Sequence, residues 1–204
     1  MFTRQFGNPG PVLVRALLFA ALAGLMAAGC DLPKQGRLHD ISGHLPNLQF
    51  SLKSDTGQAV TNFTYRGYVV FLFFGFTHCH DECPTAMSRL AALLPHLGDK
   101  AKDVRILFVT LNPDRDTPEI LHRYATTFDP VHAIGLTGNE DEIEGLVKRY
   151  RIAYRPGKSD SDDIVHSVAV YVFDPEGRAR LLIRPEDSNE AVANAVLPLL
   201  NSAG

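Results

Sequence analysis

Apolar residues follow two different periodicities along this chain. Continuous β-prone runs at 68–76 (YVVFLFFGF) and 104–111 (VRILFVTL) are typical of central strands that are covered on both faces. Shorter strands are predicted at 48–52, 132–136, 165–173 and 178–183. A turn around 55–57 follows the first of these, and the turn 174–177 (DPEG) joins the last two as a hairpin. Such strands require helices above and below the sheet.

Helical spacing appears between the strands. A first helix is predicted from Pro84, which suits a first helical position, to Gly98, which suits a helix end. Its apolar face consists of Met87, Leu90, Ala91, Leu94 and Leu97.

Three further helices complete the pattern. They are predicted at 116–128, opened by Asp116 or Thr117, at 139–150, and from a cap at Ser188 to Leu200. Pro198 is expected to bend or end the last helix. The alternation of strands and helices predicts an α/β sandwich built on βαβ units.

The N-terminal segment has the pattern of an export signal. Arg4 and Arg15 precede the uncharged run 16–28 (ALLFAALAGLMAA), which is followed by Gly29 and Cys30. Arg15 keeps this run below the roughly 20 apolar residues of a membrane-spanning helix, so a signal peptide is the favoured interpretation.

The sequence AAGC resembles a bacterial lipobox, in which the cysteine, here Cys30, is acylated and becomes the mature N-terminus. Ala27 stands where that pattern prefers leucine, and Asp31 resembles the inner-membrane retention signal of some bacteria. The predicted organisation is a signal peptide at 1–30, a flexible tether at 31–44 and one domain at 45–204. The domain is expected in the bacterial periplasm, tethered to the inner membrane.

Composition and net charge limit the number of domains and the classes of partner that are expected. The 204 residues are 45% hydrophobic and 21% charged, which fits one folded domain with an additional segment. A net charge of -3 offers no broad attraction for phosphate backbones, so nucleic acid is excluded as the expected partner.

Two cysteines stand directly after the strand 68–76, in the stretch FTHCHDECPTAM. An odd number of cysteines is unusual in an exported protein, and lipidation of Cys30 would leave only the pair Cys79 and Cys83. A disulfide between residues four apart closes a very small loop and would stabilise the fold little. Chemistry is therefore the favoured role of this pair.

Redox and metal chemistry both remain open on the residues alone. The N-terminus of a helix favours a thiolate, but Asp81 and Glu82 oppose it, and three residues separate the cysteines where the thioredoxin motif has two. A metal site would need a third ligand. The alternation of 165–173 predicts that His166 shares a face with Val168, Val170 and Val172 and stands at the entry of the strand, at the sheet edge. Two thiolates with one imidazole suit copper or zinc. The exported location favours copper, with its accessible Cu(I) state, over zinc.

Other candidates have ordinary interpretations. His78 and His80 are expected to be solvent-exposed neighbours of Cys79, and Met87 is expected in the core. The segment NPDRDTP is interpreted as a turn with a helix cap, in which Arg115 and Asp116 could also face a partner.

Three ordered blocks, FLFFGFTHCHDECPTAM, VTLNPDRDTPEILHRYA and VHSVAVYVFDPEGR, resemble the Sco/SenC copper proteins over about 46–200. The resemblance implies a thioredoxin-like α/β fold, with a central mixed sheet flanked by helices. It also implies copper, as Cu(I) or Cu(II), bound by Cys79, Cys83 and His166. The implied role is maturation of the CuA site of cytochrome c oxidase subunit II, by copper delivery, by thiol reduction or by both, with a periplasmic copper donor.

Two residues depart from the family pattern. His80 replaces a usual proline, and Val165 replaces a usual aspartate that would orient His166. Because such outer partners commonly change metal affinity by about 10- to 100-fold, copper affinity or the preferred oxidation state is expected to differ from the family's, unless Asp162 or Asp163 replaces the missing aspartate.

A metallochaperone is the expected function, and a thiol:disulfide reductase acting on exported proteins is the alternative. A peroxiredoxin-type peroxidase is disfavoured because Thr77 lies only two positions before Cys79, which does not give the threonine-x-x-cysteine arrangement of that family.

Overall fold

The structure is a computed structural model that describes residues 38–155 and 165–201. The predicted signal peptide 1–30, with Cys30, and residues 31–37 of the predicted tether lie outside the described residues. The strands are β1 His39–Asp40, β2 Ser51–Ser54, β3 Ala59–Thr61, β4 Val69–Gly75, β5 Val104–Thr110, β6 Ala133–Thr137, β7 Tyr154–Arg155, β8 Val165–His166, β9 Val170–Phe173 and β10 Ala179–Ile183. The helices are α1 Glu82–Leu93, α2 Pro118–Phe128, α3 Glu140–Arg149 and α4 Asn189–Asn201, with 3₁₀ segments at Asn62–Tyr65 and Leu94–Asp103.

A mixed sheet of eight strands forms the centre of the fold, in the order β1-β10-β9-β4-β5-β6-β2-β3. Strand β4 pairs in parallel with β5 and antiparallel with β9. Every residue of β4 is buried, as the continuous apolar run predicts, because helices or loops cover both of its faces. The predicted mixed α/β architecture is confirmed.

The sheet divides the core into two faces. On the first face, α1, α2 and α4 pack against alternate residues of the central strands, such as Phe71 and Phe73. On the second face, α3 and the segment around Leu48 and Phe50 pack against the intervening residues, such as Leu72 and Phe74. Met87 belongs to the first face and is completely buried, which confirms its predicted role in the core.

Most predicted helix starts are confirmed by their caps. The hydroxyl of Thr117 accepts from the Ile120 N–H at 3.4 Å and begins α2, and Ser188 accepts from the Ala191 N–H at 3.2 Å before α4. Asn139 and Glu142 form a reciprocal capping box at α3. Helix α4 continues past Pro198 to Asn201, so this proline does not end it.

Several boundaries differ from the prediction. The first predicted strand begins at Ser51 rather than at residue 48, and α1 begins at Glu82, before Pro84. After Leu93 the chain continues as 3₁₀ turns, and Gly98, with a φ of 56°, is non-helical and separates these turns from those that reach Asp103. Gly98 therefore closes the first helical segment as predicted, although the α-helical part ends at Leu93. His39–Asp40, inside the predicted tether, pairs with β10 at the edge of the sheet.

The largest difference concerns 165–173, which was expected to be one strand. Val165–His166 pairs with Tyr154–Arg155 in a separate two-stranded sheet, and only Val170–Phe173 joins the central sheet. The break falls at residues 167–169, where the Ser167 N–H donates to the Ala153 carbonyl instead of continuing along β10. Within 38–155 and 165–201, no helix has the length and apolar character needed to cross a membrane.

Candidate metal centre

Both cysteines lie just beyond the carboxyl end of β4. After Gly75 the chain turns, and the Cys79 N–H donates to the Phe76 carbonyl at 3.2 Å. Cys83 is the second residue of α1, and its N–H donates to the Cys79 Sγ at 3.2 Å. Cys79 and Cys83 are not joined by a disulfide, and Cys79 is half-buried while Cys83 is fully buried. One sulfur is thus accessible from the surface and the other supports it from the core.

Gly75 allows this close approach. A Cβ at Gly75 would lie 2.9 Å from the Cys83 Sγ and 2.8 Å from the Cε2 of Phe108. Real Cβ atoms do not tolerate such contacts, so the sulfur and the aromatic ring occupy the space that a larger residue would need. The last residue of β4 therefore fixes the position of Cys83.

The environment of Cys83 disfavours a free thiolate. Burial raises the pKa of the Cys83 thiol, and the neighbouring Cys79 and Glu82 raise it further, while a backbone hydrogen bond at Phe76 acts in the opposite direction. A bound soft cation would offset this penalty, because a coordinating thiol loses its proton to the metal. The donor chemistry of the pair therefore fits a thiophilic ion such as copper.

Asp116 holds in place residues 76–83, the cysteine segment, which carries Cys79 and Cys83. Its carboxylate is fully buried and accepts from the Thr77 N–H at 3.0 Å, from the Thr77 hydroxyl at 2.5 Å and from the Thr110 hydroxyl at 2.6 Å. The idea that Asp116 could face a partner is therefore wrong, because its charge is used inside the fold. Sequence reasoning missed this role, although Thr110 ends β5 and Asp116 lies two residues before α2 in the connection that follows.

The two histidines beside Cys79 differ. His80 is exposed, as expected. His78 is 39% exposed, and its Nδ1 lies 3.2 Å from the Thr77 hydroxyl and 3.6 Å from the Asp116 carboxylate. The expectation of simple exposure therefore holds for His78 only in part.

His166 is placed only through its backbone, which pairs with Tyr154 in the β7–β8 sheet. Its side chain lies outside what the structure describes. Val168, Val170 and Val172 pack on the first face with Cys83, as the alternation predicts, but the break at 167–169 means that the alternation cannot be extended to His166. Among the side chains that the structure does describe, no three histidine, cysteine or acidic groups are arranged to hold a metal ion.

A cavity of about 260 Å³ adjoins the cysteine segment on the first face, between α1, α4 and the β9–β10 hairpin. Asp81 and Glu82, the residues just before Cys83, form part of its wall, and Val168 and Ile183 form part of its apolar lining.

Comparison with known proteins gives consistent matches. The SCO1/SenC family model matches residues 42–201. The mitochondrial SCO1 homologue of mouse is 32% identical over 83% of this chain and 64% of its own length. The chain thus spans less than two thirds of that relative.

Solved structures agree with the sequence matches. Arabidopsis thaliana ScoI with copper bound is 31% identical with a TM-score of 0.69, and the match covers 76% of this chain and 98% of that one. Bradyrhizobium japonicum ScoI with copper bound is 30% identical with a TM-score of 0.66, covering 78% and 99%. The fold is thioredoxin-like.

Proposed function

The chain belongs to the SCO1/SenC family, and on that premise we propose that it binds copper through Cys79, Cys83 and His166 and serves in the assembly of cytochrome c oxidase. The observation that carries the proposal is the pair of cysteines beyond the end of β4, which form no disulfide with each other and in which the Cys83 N–H donates to the Cys79 Sγ at 3.2 Å. Similar structures with copper bound support copper as the ion.

The two sulfurs have different roles in this proposal. Half-buried Cys79 meets the incoming ion or the acceptor protein, while buried Cys83 holds the ion against the core. His166 supplies the third ligand from the β7–β8 sheet, and Val165 stands where the family pattern usually has an aspartate beside this histidine.

Copper is delivered to the CuA site of oxidase subunit II, or to a similar acceptor, after loading from a periplasmic donor. Lipidated Cys30 tethers the domain to the inner membrane beside the respiratory chain. Cys30→Ser is expected to move the protein from the detergent-extracted membrane fraction to the soluble fraction or to leave an unprocessed precursor. If both proteins are soluble and unlipidated, the tether is wrong.

The metal site is tested by titrating the reduced protein with Cu(I), in competition with a chelator, and with Cu(II). Cu(I) is held by two thiolates, whereas Cu(II) gains from imidazole, so His166→Ala should weaken Cu(II) binding far more than Cu(I) binding. Cys79→Ser and Cys83→Ser should abolish both, and Val165→Asp should tighten Cu(II). His96→Ala, which changes an exposed histidine, is the matched control.

A thiol:disulfide reductase is the alternative, and the partial exposure of Cys79 favours it. In that reaction an acceptor disulfide becomes two thiols while Cys79 and Cys83 form a disulfide, which an external thiol reductant must reduce again. Oxidase maturation in cells at limiting copper separates the two functions. Failure of His166→Ala supports copper carriage, while normal maturation with His166→Ala and failure of both cysteine variants supports the reductase.

A further inference from the structure

The cavity of about 260 Å³ beside the cysteine segment has an apolar floor and a polar mouth. The buried residues that line it are all apolar, namely Leu90, Leu93, Val170, Ile183 and Val192. Its wall also includes the exposed residues Asp81, Glu82 and Thr85, which place the mouth at the surface. An apolar hollow that opens to water between polar groups is typical of a binding site.

Arg89 fixes the two sides of the cavity relative to each other. It lies in α1, and its guanidinium donates to the carbonyls of Arg184 and Asp187 in the connection before α4. In that connection the buried Asp187 carboxylate accepts from the Arg184 N–H at 2.7 Å. Because these bonds hold the connection against α1, the cavity is formed before a ligand arrives, and binding needs little ordering of the protein.

Two acidic side chains at the mouth have no cationic partner among the described residues. Asp81 is the N-cap of α1, but its side chain makes no capping hydrogen bond, and neither Asp81 nor Glu82 forms an ion pair there. The cations of the wall are engaged elsewhere, since Arg89 donates to carbonyls and the Arg184 Nε lies 3.1 Å from the Glu186 carboxylate. The mouth therefore complements a positively charged ligand.

The mouth and the accessible sulfur belong to one short segment. Asp81 and Glu82 stand between Cys79 and Cys83, and Cys79 is half-buried. A protein that takes an ion from Cys79 must therefore approach the mouth of the cavity as well. A cavity of about 150 Å³ holds a benzene ring, so the larger volume here has room for a phenylalanine, leucine or methionine side chain.

We propose that the cavity is a docking site for a protein partner, and that it takes one large apolar side chain flanked by basic residues. The inference rests on the proposed function and deepens it, because the partner is then the copper acceptor. The apolar side chain fills the floor, and the basic residues meet Asp81 and Glu82 at the mouth. The acceptor is thereby held beside Cys79 while copper is transferred.

A short capped peptide probes the cavity directly. It carries phenylalanine at its centre, lysine on each side and glycine elsewhere, and it is titrated into the copper-free protein at low salt while methyl NMR signals are followed. We expect the signals of Leu90, Ile183 and Val192 to shift. Alanine in place of phenylalanine should weaken binding about tenfold, because no ring is buried. Glutamate in place of both lysines should weaken it about threefold or more.

Two variants with matched controls test the same contacts from the side of the protein. Ala86→Leu enlarges a side chain of the cavity wall, and Ala92→Leu makes the same change at an exposed position of α1. Asp81→Lys reverses a charge at the mouth without removing a capping hydrogen bond, and Asp141→Lys reverses an exposed charge in the first turn of α3. We expect Ala86→Leu to weaken peptide binding about tenfold and Asp81→Lys about threefold, while both controls stay within about twofold of the unaltered protein.

The peptide results decide whether the cavity is a docking site. If the peptide shifts none of the cavity signals, or binds Ala86→Leu and Ala92→Leu equally well, the docking site is wrong and the proposed function stands. If the glutamate peptide binds as tightly as the lysine peptide, the assigned chemistry of the partner is wrong. Cavity signals that shift with protein concentration alone would show that a second copy of the chain covers the cavity, which also overturns the proposal.

Oxidase maturation in cells at limiting copper decides whether the partner is the copper acceptor. Ala86→Leu should lower maturation although the purified variant binds copper as the unaltered protein does. Normal maturation with Ala86→Leu would show that the acceptor does not use the cavity. A loss of copper affinity that accounts for the loss of maturation would also overturn the docking role. If the unaltered protein binds no copper, the proposed function fails and the assignment of the partner fails with it, even where the peptide binds.

Discussion

The two faces of the central sheet differ in the hydrogen bonding of their tyrosine hydroxyls. On the second face, the Tyr150 hydroxyl accepts from the Gln49 N–H at 2.9 Å and donates to the Asn47 carbonyl at 3.3 Å. It therefore links residues 47–49 to the end of α3. On the first face, the Tyr124 hydroxyl is buried and has no hydrogen-bond partner among the described residues, and its ring packs on Phe108. The second face thus bonds the hydroxyl of Tyr150, whereas the first face leaves the hydroxyl of Tyr124 without a described bond.

The largest expected effect concerns Asp116, whose buried carboxylate accepts three hydrogen bonds beside the cysteines. Asp116→Ala leaves the Thr77 N–H and the Thr77 and Thr110 hydroxyls without their acceptor. We expect a loss of about 3 kcal/mol in the free energy of unfolding, measured by urea denaturation. Asp116→Asn, which keeps one acceptor oxygen, should cost less. Equal stability of the alanine variant and the unaltered protein would show that this carboxylate does not hold the cysteine segment.

A pair of glycines gives the next contrast. Gly75→Ala forces a Cβ against Phe108 and the Cys83 Sγ, so we expect a loss of about 1 to 3 kcal/mol and weaker copper binding. Gly145→Ala, in α3 with nothing within 4 Å of the methyl group that alanine would add, should instead stabilise the protein by about 0.5 to 1 kcal/mol. Thermal and urea unfolding measure both. The two substitutions should change the free energy of unfolding in opposite directions. If Gly75→Ala leaves it unchanged, the close contact between Gly75 and the Cys83 Sγ is wrong.

The tyrosines themselves provide the third test. Tyr150→Phe leaves the Gln49 N–H without its acceptor and should lower the free energy of unfolding by about 1 to 2 kcal/mol. Tyr124→Phe should cause no loss in the copper-free protein. If the two substitutions destabilise the copper-free protein equally, the hydroxyl of Tyr124 has a structural partner and the two faces do not differ in this way.

The smallest effect is a dependence on pH away from the metal centre. Burial acts to raise the pKa of Asp174, but hydrogen bonds from Arg178 and Arg180 outweigh it, and the folded-state pKa is lowered. This carboxylate therefore stabilises the fold above its unfolded pKa of about 3.9, and the contribution is lost as pH falls through the lower folded value. Urea denaturation between neutral pH and the acid range should show this loss, and Asp174→Asn should make the free energy of unfolding depend less on pH. If this variant and the unaltered protein depend on pH equally, the assignment to Asp174 is wrong.

Local pattern predicted much of the fold. The continuous apolar runs of β4 and β5, the helical spacing of α1 and the caps at Thr117 and Ser188 depend on neighbours in the chain, and the structure confirms them. The position of Cys79 and Cys83 at a carboxyl strand end also followed from the order of the elements.

Contacts between distant residues could not be predicted in the same way. Asp116 and Thr77 are 39 positions apart, and nothing in either local sequence indicates their hydrogen bonds. The break at 167–169 arises because Ser167 pairs with the Ala153 carbonyl, a partner that alternation does not indicate. The metal role of His166 stays a prediction.

Copper K-edge X-ray absorption tests the central claim most directly, because it counts the sulfur atoms bound to the ion. For the reduced protein loaded with one equivalent of Cu(I), the account predicts two sulfur ligands, and loss of copper in Cys79→Ser. His166→Ala should leave the sulfur count unchanged and remove a nitrogen ligand from the Cu(II) form. A copper ion bound only by nitrogen and oxygen, with the sulfurs of Cys79 and Cys83 free, would contradict the account.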